Sequence, residues 1–192
     1  MELLHEPHMN ALTEFVSTIR NDKRNVPNFD PLDGGVHAEC LLVLEAPGRQ
    51  AKSSGFVSRN NPDETARNLF NLAAEASLAR KRTVLWNIVP WYLGDENKIR
   101  HPKRDEKEQG FEHLKQLIAM LKRCRVVVLM GRHAGRFRSR LAESYSRIEV
   151  HETRHPGPMS LNRSPQNRQE LLDGLIRVAV LLGVIDRADP PE

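Results

Sequence analysis

Residues 40–48 read Cys40-Leu41-Leu42-Val43-Leu44-Glu45-Ala46-Pro47-Gly48. The first five are an unbroken apolar run that a turn ends, the pattern of a strand buried on both faces. Such strands belong to parallel sheets covered by helices on both sides. Two more runs share the pattern. Thr83 to Val89 ends in Pro90-Trp91, and Val126-Val127-Val128-Leu129-Met130 ends at Gly131. A fourth stretch, Ile148-Glu149-Val150-His151, alternates apolar and polar and is expected nearer a sheet edge.

Helical periods fill the intervals. Leu12, Phe15, Val16 and Ile19 repeat at helical spacing, as do Leu69, Leu72, Ala73 and Ala76. Phe111, Leu114, Leu117, Ile118 and Leu121 form another stripe, and Ala134, Phe137 and Leu141 a shorter one. Ser164-Pro165 opens a last helix carrying Leu171, Leu172, Ile176, Val178, Leu181 and Leu182. Asn61-Pro62-Asp63-Glu64 reads as a helix start with Asn61 as cap. Arg24–Gly35, Arg49–Asn61 and Gly94–Lys107 read as loops, and Ala188–Glu192 as a frayed tail. The expected fold is α/β: three layers, α/β/α, around a central, mainly parallel four-stranded sheet with right-handed crossovers. One domain over residues 1–192 is expected, with the N-terminal helix and loop, residues 1–38, packed on it.

Composition narrows the classes. The chain has 192 residues, 29 basic and 25 acidic side chains and 39% hydrophobic residues, enough for a real core. The net charge of +4 allows an anionic partner without requiring one. Cys40 and Cys124 are the only cysteines, which excludes a disulfide scaffold, a four-cysteine zinc site and an all-cysteine iron–sulfur cluster. Both thiols are expected to be reduced and buried in a cytoplasmic protein. His5, Glu6 and His8 interrupt any signal-like apolar run, and no stretch approaches a membrane span.

In open α/β sheets ligands bind beyond the carboxyl ends of the strands. Those ends carry Glu45 to Arg49, Asn87 to Trp91, Gly131 to Gly135 and His155 to Ser160, so the four segments converge on one rim. Leu44-Glu45-Ala46-Pro47-Gly48 and His155-Pro156-Gly157-Pro158-Met159-Ser160 resemble the two signature motifs of the uracil-DNA glycosylase superfamily. The first is similar to its Gly-Glu-Ala-Pro-Gly form, with Leu44 in place of the leading Gly. The second is similar to His-Pro-Ser-Pro-Leu-Ser, with Gly157 and Met159 substituted. Gly55-Phe56-Val57 resembles the loop that supplies a stacking aromatic, and Asn87 stands where the superfamily places its base-reading Asn. The resemblance spans about Cys40 to Arg163.

It implies a monofunctional hydrolase that removes uracil or another deaminated base from single- or double-stranded DNA, in base excision repair. It needs no cofactor or metal, and a monomer is expected. His155 would donate to the base carbonyl, where charge develops as the base leaves; one such donor changes rates by ~10²–10³. Glu45 would orient the attacking water. Asn87 offers one acceptor and two donors, matching the N3–H and O4 edge of uracil and mismatching cytosine. Ala46, Pro47 and Gly48 would border the base. Phe56 either stacks on it, which contributes ~1–3 kcal/mol per base, or anchors its own loop. Met159 either fills the gap left by a flipped nucleotide or packs normally. Pro156 and Ser160 would meet DNA, and Arg49, Arg59, Arg132, Arg136, Arg154 and Arg163 could reach phosphates. Trp91 and Tyr92 either wall the base or cover the core. His133 is either a phosphate contact or an ordinary surface residue.

Three departures stand out. The best-studied branch has an Asp where Ala46 lies, so water activation falls to Glu45 or, in the next loop, Asp63. The branch with Glu-Ala-Pro-Gly carries a four-cysteine cluster, which this chain cannot hold. Gly48 replaces a Tyr that excludes the thymine methyl. Two other classes remain open. One is a catalytically weak or inactive protein that binds nucleic acid or a damaged base on the same fold. The other is a small-molecule or nucleotide site on a flavodoxin-like sheet, for which topology is the only argument.

Overall fold

A computed structural model describes residues 2–95 and 98–185. The stretch read as a tail, Ala188–Glu192, lies outside them. In chain order the elements are α1 (Asn10–Ile19), β1 (Asn28–Phe29), β2 (Cys40–Leu44), α2 (Arg49–Ser54), β3 (Phe56–Val57), α3 (Glu64–Glu75), β4 (Thr83–Asn87), α4 (Arg104–Met120), β5 (Val126–Met130), α5 (Arg132–Gly135), α6 (Arg138–Ser144), β6 (Glu149–Thr153), α7 (Pro158–Leu161) and α8 (Pro165–Leu181). Four strands form one sheet in the order β4-β2-β5-β6, and every pairing in it is parallel. β1 and β3 pair separately, also in parallel.

Every residue of β2, β4 and β5 is buried, so their side chains supply two cores by simple alternation. Leu41, Val43, Val84, Trp86, Val127 and Leu129 face α1 and α4. Leu42, Leu44, Leu85, Val126, Val128 and Met130 face α3 and α8. Each fully buried Leu or Val contributes about 1.5–3 kcal/mol relative to exposure. β6 is the edge strand, with Glu149 exposed and Val150 buried, as the alternation in its sequence predicts, while Glu152, on the same face as Val150, is exposed too. Among the described residues no helix is long and apolar enough to cross a membrane. Cys40 and Cys124 are free, buried and half-buried respectively. Burial pushes the Cys40 thiol far up and the Cys124 thiol to about 11, so both stay protonated.

Several segments differ from the sequence reading. Residues 49–61 are not all loop, because α2 and β3 lie within them. Ala51 is the one buried residue of α2, so no apolar stripe announced that helix. Gly55, at φ 77°, ends it in the left-handed conformation a glycine takes without cost. Asp63, not Asn61, caps α3: its carboxylate accepts from Ala66 N–H at 2.9 Å. Asn61 instead donates to the Phe56 carbonyl at 2.9 Å. β1 lies in the stretch read as the 24–35 loop, and α4 begins at Arg104, inside the loop expected to run to Lys107.

Arg59, expected at a surface phosphate, is 4% exposed. Its guanidinium donates to Asp33 at 3.0 Å and to Thr83 Oγ1. Arg80 bridges Asp33, at 2.7 Å, and Asp30, and Ser58 donates to Asp30. This network holds the segments bearing β1 and β3 against the start of β4. Desolvation dominates Asp33 and raises its pKa, although Arg59 and Arg80 oppose the shift. Asp33→Ala strands the Arg59 charge in the interior. The expected loss is ~3–5 kcal/mol, measured by urea denaturation at pH 7.5.

Candidate active site

The sheet register places the candidate residues on one level. Leu44 pairs with Asn87 and Met130 with Thr153. Beyond the strands Ile88 N–H donates to Leu44 O at 2.8 Å and Val89 N–H to Glu45 O at 3.0 Å. Asn87 therefore ends its strand beside the turn that carries Glu45. Asn87 is 2% exposed, and its amide nitrogen Nδ2 has no hydrogen-bond partner. An unsatisfied buried donor costs ~1–3 kcal/mol, so a ligand bringing an acceptor would recover that cost.

His155 follows β6. Gly157 N–H donates to its Nδ1 at 2.9 Å, so the proton of the neutral ring sits on Nε2 and can be donated outward. Burial lowers the His155 pKa, against the pull of Glu45 and with the repulsion of His133. Two glycines make room for the ring. A Cβ at Gly131, which sits at φ 91°, would lie 2.9 Å from His155 Cβ, and one at Gly157 would lie 2.8 Å from Nδ1. The substitution at Gly157 thus fits a ring packed hard against its own loop.

Glu45 has close histidine neighbours. Its Oε1 lies 3.3 Å from His133 Nδ1 and 3.4 Å from His101 Nδ1. The two imidazoles stack with centroids 5.1 Å apart. Burial depresses the His133 pKa, Glu45 raises it, and His101 lowers it. His133, read as a phosphate contact or a surface residue, faces the carboxylate instead. His101 was missed. Its charged loop has no period, and the one available signal was a second His-Pro pair, His101-Pro102, like His155-Pro156. Asp63, the other acid considered for water, is occupied as the α3 cap.

The remaining candidates are more scattered. Pro47 is buried, Ala46 half-buried against the core, and Gly48 exposed. A Cβ at Gly48 would meet nothing within 4 Å, so the space beside it is open. Phe56 is half-buried in β3. Met159 is 90% exposed on α7. The Pro156 carbonyl accepts from Asn68 of α3 at 2.8 Å and the Ser160 carbonyl from Asn167 of α8 at 2.7 Å, which fixes the loop that presents Met159. Arg49, Arg132, Arg136, Arg154 and Arg163 are exposed, and Arg154 pairs with Glu170. Trp91 and Tyr92 are buried; Trp91 lies under the Arg24 guanidinium, 4.1 Å away, and Lys52 sits over the Tyr92 ring. A cavity of about 430 Å³ lies to one side, between Asn68, Asn71 and Leu72 of α3 and the Leu161–Arg168 segment.

Comparison with known proteins shows the family and the fold. The family model of the uracil DNA glycosylase superfamily matches residues 32–176, and the chain belongs to that superfamily. The solved structure of Pedobacter heparinus SMUG2 superposes with a TM-score of 0.59 at 10% identity, covering 96% of this chain and 88% of that one. A solution NMR structure of a candidate uracil DNA glycosylase from Methanosarcina acetivorans gives a TM-score of 0.49 at 17% identity, covering 77% and 93%. The likeness to the first of these speaks to the fold. No curated protein matches the sequence.

The His155 shift has a consequence for stability. The native ring binds its proton below the unfolded value of about 6.5. Below that pH the unfolded chain holds more protons, so stability falls as pH drops from about 6.5 through the depressed native value. Urea midpoints of the wild type should fall between pH 7.5 and 5.5, and His155→Asn should flatten that fall.

Proposed function

We propose that the protein is a monofunctional DNA glycosylase that hydrolyses the N-glycosidic bond of uracil or another deaminated base. The observation that carries this reading is the buried, unpartnered amide of Asn87 on the same rim as Glu45 and His155. A flipped uracil would offer O4 to Asn87 Nδ2 and take its N3–H bond to Oδ1. Phe56 would stack on the base, and Met159 would enter the space the nucleotide leaves. Arg49, Arg132 and Arg163, with the Pro156–Ser160 loop, would contact the backbone.

The chemistry follows from the charges. The C1′–N1 bond breaks with both electrons passing to the base. The sugar gains oxocarbenium character and the base becomes anionic at its O2. The Nε2–H of neutral His155 stabilises that oxygen without a proton needing to move first. Glu45 accepts a proton from the water that bonds to C1′. Superfamily membership favours a hydrolase, and Glu45 Oε1 lies 3.3 and 3.4 Å from the imidazole nitrogens of His133 and His101.

One observation favours the second reading, a binder without chemistry: two imidazole nitrogens, of His133 and His101, stand 3.3 and 3.4 Å from Glu45 Oε1, where a catalytic water would approach. Alkaline cleavage of uracil-containing single- and double-stranded oligonucleotides separates the two. Base release is expected, with His155→Ala reducing it ~10²–10³-fold. Glu45→Gln and Asn87→Ala should abolish it in folded protein. Asp63→Ala should cost only the cap, ~1 kcal/mol, and leave release intact. Salt-sensitive binding with no release of uracil, hypoxanthine or xanthine would reject the enzyme.

A further inference from the structure

Glu45 Oε1, His101 Nδ1 and His133 Nδ1 all lie within 4.8 Å of one another. The carboxylate oxygen is 3.3 Å from one imidazole nitrogen and 3.4 Å from the other. Charge-assisted N–H···O bonds are shorter, about 2.7–2.9 Å. Glu45 Oε1 and His133 Nδ1 are in fact buried with no hydrogen-bond partner. The spacing has another natural cause. Tetrahedral zinc with bonds of about 2.0–2.1 Å sets its ligand atoms about 3.3–3.4 Å apart.

We propose that Glu45, His101 and His133 form a binding site for a divalent transition metal, with zinc as the fitting ion. Two imidazoles and one carboxylate are a ligand set that zinc takes at three-ligand sites, leaving a fourth position for water or substrate. A carboxylate beside two neutral imidazoles offsets half the charge of the ion. Magnesium demands an octahedron of oxygens and fits poorly. The three ligands come from separate elements of one rim: the turn after β2, the loop before α4 and the start of α5. His155 is not in this set, and Gly157 N–H occupies its Nδ1. Oε1 is also the atom to which the glycosylase reading gives the proton of water. The metal site stands on geometry alone, however, and needs no DNA for its test.

The full chain, stripped with a chelator and dialysed, is titrated with Zn²⁺ in competition with a chromophoric chelator. One equivalent is expected to bind at micromolar or tighter affinity, with no competition from millimolar Mg²⁺. His101→Ala, His133→Ala and Glu45→Gln should each weaken binding at least about tenfold, a loss that even an outer-shell partner costs. His101 is 79% exposed, so its variant keeps the test valid if another unfolds. His151→Ala, which alters a histidine–glutamate pair elsewhere, should change nothing. X-ray absorption at the zinc edge should show two imidazoles at about 2.0 Å. Affinity unchanged in His101→Ala, or a zinc shell without imidazole, would overturn the proposal. Metal binding by a wild-type protein that releases no base would count against the glycosylase reading alone.

Discussion

A strand hydrogen-bonded in parallel on both sides and buried on both faces leaves only its ends free. β2 is that strand, flanked by β4 and β5. Parallel pairing forces each connection back across the sheet, which puts helices on both faces and the carboxyl ends on one rim. Register then decides chemistry. Leu44 stands opposite Asn87, and Met130 opposite Thr153, so Glu45, Asn87, Gly131 and His155 arrive at similar height. A slip of one residue would turn Asn87 toward the α1–α4 side and remove it from the rim.

The other end of β4 carries a different constraint. Thr83 shares Arg59 with Asp33, while Arg80 joins Asp33 to Asp30. Ionic groups this buried gain little net stability over well-packed apolar residues. Their geometry is directional, though, and here it ties Ser58 and Arg59 to the sheet. Those residues directly follow β3, so the position of Phe56 is set from the end of the molecule away from the rim. β1 adds to the tie, since Phe29 stacks on Trp86 at 4.2 Å.

The apolar runs at 40–44, 83–89 and 126–130 were enough to give the sheet, because a doubly buried strand has no other way to satisfy its faces. The placement of Glu45, Asn87 and His155 on one rim followed from topology and needed no side-chain detail. Short elements were less legible. β3 has two residues and α2 a single buried side chain, so neither produces a period. The burial of Arg59 depends on Asp30 and Asp33, which lie far away in sequence. His101 met Glu45 only through a loop whose course no local pattern encodes.

The two edges of the sheet are guarded by different means. Along β4 the open side is covered: Gly34 N–H takes the Thr83 carbonyl at 2.9 Å, and Phe29 lies over Trp86. Along β6 Arg138 Nε donates to the Val150 carbonyl at 3.3 Å, and Glu149 and Glu152 stand exposed. A second chain adding itself there would bring like charges side by side and strip their hydration. Carboxylates on this edge strand thus work against edge-to-edge aggregation, a hazard that an otherwise apolar parallel sheet carries at its margins.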